Sequence, residues 1–115
     1  MSSLEKFFAK KIKLNIDGEE IIVDTLRTEE YAEIFEFRRL LEKGVWSEED
    51  SQKLNELINR LVYNGLKENY PDLTIEDVKK LRVDITDKII QARLQYTFPQ
   101  IKFRGRIKAK ITKKR

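Results

Sequence analysis

Ile12-Lys13-Leu14-Asn15-Ile16-Asp17-Gly18-Glu19-Glu20-Ile21-Ile22-Val23 is the stretch whose reading decides the fold. Ile12, Leu14 and Ile16 alternate with Lys13 and Asn15, which is the period of a strand and not of a helix. Asp17-Gly18 supplies two residues that tolerate positive φ, as a two-residue type I′ turn requires. Placing them at the centre of the turn pairs Ile16 with Glu19, Leu14 with Ile21 and Ile12 with Val23. Ile12, Leu14, Ile21 and Val23 then share one apolar face, so turn chemistry and hydrophobic pattern fix the same register.

A two-stranded hairpin is not stable alone and needs something to pack on. The residues that follow supply it. Thr28 can cap a helix over about 29–43 that opens with Glu29 and Glu30, where carboxylates favour the positive end of the helix dipole. Tyr31, Ile34, Phe35, Phe37 and Leu41 are its apolar residues, and Gly44 ends it. Ser47 opens a second helix over about 48–69, with Glu48, Glu49 and Asp50 in its first turn. Leu54, Leu57, Ile58, Leu61, Val62 and Leu66 recur on the i, i+3, i+4, i+7 pattern, which makes this helix the expected centre of the core. Gly65 within it either admits the close approach of another element or is merely tolerated.

Tyr70-Pro71-Asp72 breaks that helix, because proline lacks the amide donor and restricts the residue before it. Thr74 caps a short helix over about 75–82, with Asp77 at the third position and Leu73 placed to staple on Val78. The pattern falters near Asp84 and resumes over 85–96 with Ile89, Ile90, Ala92, Leu94 and Tyr96. Ahead of the hairpin, the piece holding Phe7 and Phe8 forms one helical turn or lies extended.

Beyond Phe98-Pro99 the alternation returns. Ile101, Phe103, Ile107, Ala109 and Ile111 alternate with Lys102, Arg104, Arg106, Lys108 and Lys110, interrupted by Gly105. The expectation is one long or two short strands with a basic face. Eleven extended residues span roughly 36 Å, against some 17 Å for a hairpin strand of about five. Such a strand exceeds what its own hairpin can pair, so it bends at Gly105 or overhangs onto another molecule. The whole is read as an α+β fold: three to four helices packed on a small antiparallel sheet made by the N-terminal hairpin and the C-terminal basic strand. Residues 1–96 form a single domain and 97–115 the basic strand and tail.

Charge is unevenly placed. The net charge is +4, but from Thr97 onward there are eight cations and no acids. The body carries about −4 and the end +8, which draws the end towards its own body, another copy or nucleic acid. Three uses of the basic face follow: a solvated outer face that deters aggregation, phosphate binding by Lys102, Arg104, Arg106, Lys108 and Lys110, or contact with an acidic protein surface. Phe103, Ile107 and Trp46 join those five as candidate contact residues, Trp46 because it lies between two helices and fits no stripe.

The chain contains no His and no Cys. That removes the usual nucleophile and base pairs, thiol chemistry and most zinc or copper sites. The four glycines are isolated, so no phosphate-cradling loop exists. Glu48, Glu49 and Asp50, or Asp84 and Asp87, could hold a hard cation, yet acids in an opening helical turn are explained by capping and the dipole. No enzyme activity, cofactor, metal or small-molecule substrate is expected. No apolar run approaches the roughly 20 residues that span a bilayer, and no secretory signal opens the chain, so a soluble protein is expected. Abundant Lys, Glu and Ile with one Met resembles a thermophile's composition.

Residues 12–94 resemble small phage proteins of the tail assembly chaperone type. The likeness lies in the opening pair Lys-Leu-Asn-Ile-Asp-Gly-Glu-Glu-Ile, the helical middle, and the run Tyr-Pro-Asp-Leu-Thr-Ile-Glu-Asp-Val-Lys-Lys-Leu followed by Asp84 and a closing helix. The resemblance implies a mostly helical, non-enzymatic protein that holds tape measure and tail tube subunits during assembly, located in the host cytoplasm or the virion. It implies no residue-specific site. The long basic strand departs from that family's pattern.

Overall fold

The computed structural model describes residues 2–99. The hairpin forms as its pattern requires: β1 (Lys11–Ile16) pairs antiparallel with β2 (Glu19–Asp24), with Ile16 opposite Glu19, Leu14 opposite Ile21 and Ile12 opposite Val23. Asp17 and Gly18 have φ of 54° and 83°, the two positive angles of a type I′ turn. Val23 and Ile16 are buried, and Leu14 and Ile21 pack against the core. The register is the one read from the sequence, and Leu14, Ile21 and Val23 of the expected apolar face meet the core.

A short helix, α1 (Ser2–Glu5), precedes the hairpin. A 3-10 turn (Thr28–Glu30) leads into α2 (Tyr31–Lys43), followed by α3 (Glu48–Leu66), α4 (Ile75–Lys79) and α5 (Val83–Thr97). The fold is α+β, with the helices packed on a two-stranded antiparallel sheet. The C-terminal strand expected over 101–111 lies outside the described residues.

α3 is the hub, touching α2, α4, α5 and β2. All six of its expected apolar residues are buried. Its start is closed by a capping box, in which the Ser47 hydroxyl accepts from the Asp50 N–H and the Asp50 carboxylate accepts from the Ser47 N–H. Thr74 and Asp77 repeat the device at α4, as expected. A Cβ built on Gly65 would lie 2.8 Å from Arg93 Cδ and 3.1 Å from Val23 Cγ1. Of the two readings of Gly65, close approach is the one realised: β2 and α5 meet α3 there.

Several boundaries and faces differ from expectation. Thr28 does not cap α2; it sits inside the 3-10 turn, which the Glu30 carboxylate closes by accepting from the Arg27 N–H. α2 buries Ile34, Phe37 and Leu40, while Tyr31 and Phe35 are exposed. Ile34 and Phe37 follow the buried Glu30 at four and seven residues, so anchoring Glu30 turns that face inward. α3 stops at Leu66, three residues early, because Asn69 and Tyr70 are diverted to the edge of β2. The break before α5 falls at Leu81-Arg82 and not near Asp84: the Arg82 carbonyl already accepts from Ile85 and Thr86.

Candidate protein-contact surface

The surface is organised by a charge pair that hydropathy did not reveal. Arg93, on α5, is 1% exposed and lies against Glu30, also 1% exposed. The guanidinium has five N–H donors, and each has an acceptor. Nε donates to the Asp24 carbonyl at 2.7 Å; Nη1 donates to Glu30 Oε1 at 2.8 Å and to the Leu61 carbonyl at 2.5 Å; Nη2 donates to Glu30 Oε2 at 2.7 Å and to the Thr25 carbonyl at 3.1 Å. One side chain thus ties the end of β2, the 3-10 turn, α3 and α5 together. Among the described residues no buried side-chain nitrogen or oxygen lacks a partner. With every donor and acceptor engaged, the pair is built for architecture and offers no free group to a substrate.

Beside it, the Asp24 carboxylate accepts from Lys11 Nζ at 2.9 Å, Asn69 Nδ2 at 3.1 Å and Arg27 Nη1 at 3.1 Å. Burial pushes this carboxyl up, but hydrogen bonds from Lys11 and Asn69 and the charges of Lys11 and Arg27 outweigh it and hold the carboxyl below its ordinary value. The Asp24 cluster borders the surface where the hairpin meets the end of α5, with the Arg93–Glu30 pair buried behind it.

At that surface lies an open groove of about 1110 Å³. Phe7, Phe8 and Tyr96 line it and are 76%, 64% and 55% exposed. Lys6, Lys10, Lys11 and Arg27 line it together with Asp24, Glu29 and Glu68, so its walls carry both signs of charge. The outer face of α2 presents a second aromatic feature: Tyr31 and Phe35 stack with ring centroids 6.4 Å apart, and one turn on the Arg38 guanidinium lies 5.7 Å from the Phe98 ring. Exposed aromatic rings and arginine are enriched at contact surfaces, though lysine is not.

Of the residues proposed from sequence as a contact site, Lys102, Phe103, Arg104, Arg106, Ile107, Lys108 and Lys110 lie outside the described residues. Trp46 is half-buried; it packs against the core, and its Nε1 donates to the Leu40 carbonyl at 2.5 Å, closing the end of α2. Two members of the acidic clusters, Asp50 and Asp84, have local partners. Asp50 caps α3 and binds Lys43 at 2.6 Å, and Asp84 binds Arg82, which also reaches Asp17 at 2.8 Å. Those hydrogen bonds hold the Asp50 and Asp84 carboxyls below their ordinary values. No group of three or more His, Cys, Asp or Glu placed to hold a metal occurs among the described residues, and no helix there is long and apolar enough to cross a membrane.

The sequence did carry a signal for Arg93: it stands between Ile90 and Leu94 on the buried stripe of α5, where a cation needs a buried acid partner. Glu30 carried less, since an acid in a first helical turn is explained by the dipole alone. The Phe7 and Phe8 groove depends on where the N-terminal piece lies against α5, which no periodicity specifies. Compared with protein-family models, curated proteins and solved structures, the chain matches none of them.

Proposed function

We propose that this chain is a non-enzymatic assembly or structural protein of viral or phage type that acts through protein–protein contacts, in the manner of tail assembly chaperones. The observation that carries the reading is the groove at the end of α5, where Phe7, Phe8 and Tyr96 stand exposed among charged side chains of both signs over a fully satisfied polar floor. Exposed aromatic side chains gain most when a protein partner covers them. The chain leaves this same end of α5 for the basic segment, so Lys102, Arg104, Arg106, Lys108 and Lys110, with Phe103 and Ile107, are proposed to extend the contact onto an acidic surface. The absence of His and Cys supports a role without catalysis.

The concentration of eight cations and no acids from Thr97 onward favours one alternative, a nucleic-acid-binding protein that uses the five alternating cations on phosphates. A gel shift on random DNA and RNA, titrated with salt, separates the two. The contact reading expects no shift at physiological salt with micromolar protein. A shift there that disappears when the five charges are reversed, and whose log K falls with log salt at a slope of about −4 to −5, establishes the alternative.

A further inference from the structure

The two edges of the hairpin differ. On β2, the outward N–H of Ile22 donates to the Tyr70 hydroxyl at 3.1 Å, and its carbonyl accepts from Asn69 Nδ2 at 3.4 Å. Residue by residue, the ladder alternates: Ile12, Leu14 and Ile16 turn their backbone groups inward to β2, as the Thr25 N–H to Lys10 carbonyl bond just before them confirms. Lys13, opposite Ile22, and Asn15 therefore turn theirs outward. Among the described residues those outward groups meet no partner, and the sheet has no third strand. Beneath this edge runs a groove of about 290 Å³ between β1 and α5, lined by Leu14, Ile16, Lys88, Gln91, Ala92 and Gln95 among others.

We propose that the outer edge of β1 is a self-association surface, on which β1 of a second copy pairs antiparallel with Leu14 opposite Leu14 on a two-fold axis. Antiparallel pairing through Lys13 and Asn15 forms four backbone hydrogen bonds between the copies. The same register sets Ile12 against Ile16 of the other copy, so all six apolar side chains of the two strands join one face above the α5 grooves. On the other face Lys11 meets Asp17 and Lys13 meets Asn15. Sliding the strands by one two-residue step sets Lys13 against Lys13, and sliding them the other way sets Ile12 against Gly18. Lysine on an edge commonly deters pairing; here Lys11 is already bound to Asp24 and Asp17 to Arg82, and no lysine stands directly opposite another. The interface is isologous, so it closes as a dimer and does not propagate. It is also small, and association is expected at roughly micromolar concentrations or weaker.

The inference rests on the reading that the chain works by protein contact, but its test is separate from the gel shift. The chain has no cysteine, so Leu14→Cys in the full chain can form only an intermolecular bond between equivalent positions. Residues opposite each other at a non-hydrogen-bonded site lie about 4.5 Å apart at Cα, within disulfide reach. Under mild oxidation at tens of micromolar, Leu14→Cys should cross-link at least fivefold more than Ile12→Cys, which faces Ile16. Adding Lys13→Pro removes an outward donor and no internal ladder bond. It should cut the cross-link at least fivefold with little change in melting temperature, and should abolish concentration-dependent dimer in sedimentation of the otherwise unaltered chain. Equal cross-linking at positions 12 and 14, or none at 14, overturns the proposal. So does cross-linking that appears only after residues 100–115 are deleted, which would assign the edge to the chain's own basic segment. Failure with no nucleic-acid binding leaves the contact reading standing; a salt-sensitive gel shift removes that reading itself.

Discussion

Arg93 shows how a single charged residue can define a small fold. A guanidinium with five N–H donors and five acceptors, bidentate on Glu30, is a planar fork that lysine cannot imitate. Removing one partner of a buried pair costs about 3–5 kcal/mol, because the other charge stays behind without compensation. Arg93→Met is therefore expected to lose that much in urea unfolding, while the double variant Arg93→Met, Glu30→Gln recovers part of the loss. If the two single losses simply add in the double variant, the pair is not the coupled unit its geometry describes. Against a typical total stability of about 5–15 kcal/mol, a loss of this size is a large share of the whole. The crowding at Gly65 belongs to the same site: the Arg93 side chain runs where a Cβ on α3 would stand.

Elements were readable in the sequence where local chemistry and hydrophobic period agreed. The hairpin satisfies both, since Asp17-Gly18 selects the turn and the alternation selects the faces, and its register follows. α3 satisfies both too, with Ser47 and Asp50 at its start and an unbroken stripe behind them. α2 carries two overlapping apolar stripes, one through Ile34 and Phe37 and one through Tyr31 and Phe35. Periodicity cannot choose between them; the anchoring of Glu30 on Arg93 does, and that is a contact 63 residues apart in sequence. The early end of α3 has a similar cause, because Asn69 and Tyr70 serve β2 across nearly fifty residues. The candidate groove was harder to read than any element, as it is made of the N-terminal piece, the residues after β2 and the end of α5, which share no pattern. Where the signal is local, so is the consequence of losing it. Thr74→Ala removes the acceptor for the Asp77 N–H and should cost about 1 kcal/mol by thermal or urea unfolding. An effect above about 2 kcal/mol would mean that α4 holds more of the core than its buried Val78 implies.

At the scale of the whole molecule, acid should loosen the arrangement through its paired carboxylates, Asp24 among them. Asp24 joins three positions in space: Lys11 on β1, Arg27 ahead of α2 and Asn69 after α3. Its carboxyl lies below the ordinary value of 3.8 in the folded protein, burial opposing and the three donors prevailing. A carboxyl lowered on folding stabilises the native state fully above its unfolded value and loses that contribution as pH falls through its native value. Stability should therefore be level down to about pH 4 and decline below it, the unfolded chain binding the proton first. Glu36, Asp50 and Asp84 are lowered by exposed partners in the same direction, and salt should weaken their share more than that of Asp24. Asp24→Asn keeps the shape, loses charge-assisted bonds worth roughly 1–3 kcal/mol at neutral pH, and should flatten the acid limb of a stability profile measured in high salt. An Asn variant as stable as the parent at pH 7 and equally acid-sensitive would show that the three donors hold the hairpin to the helices without needing the carboxylate. The acid limb would then have to be assigned to the surface pairs, and not to the cluster that borders Phe7, Phe8 and Tyr96.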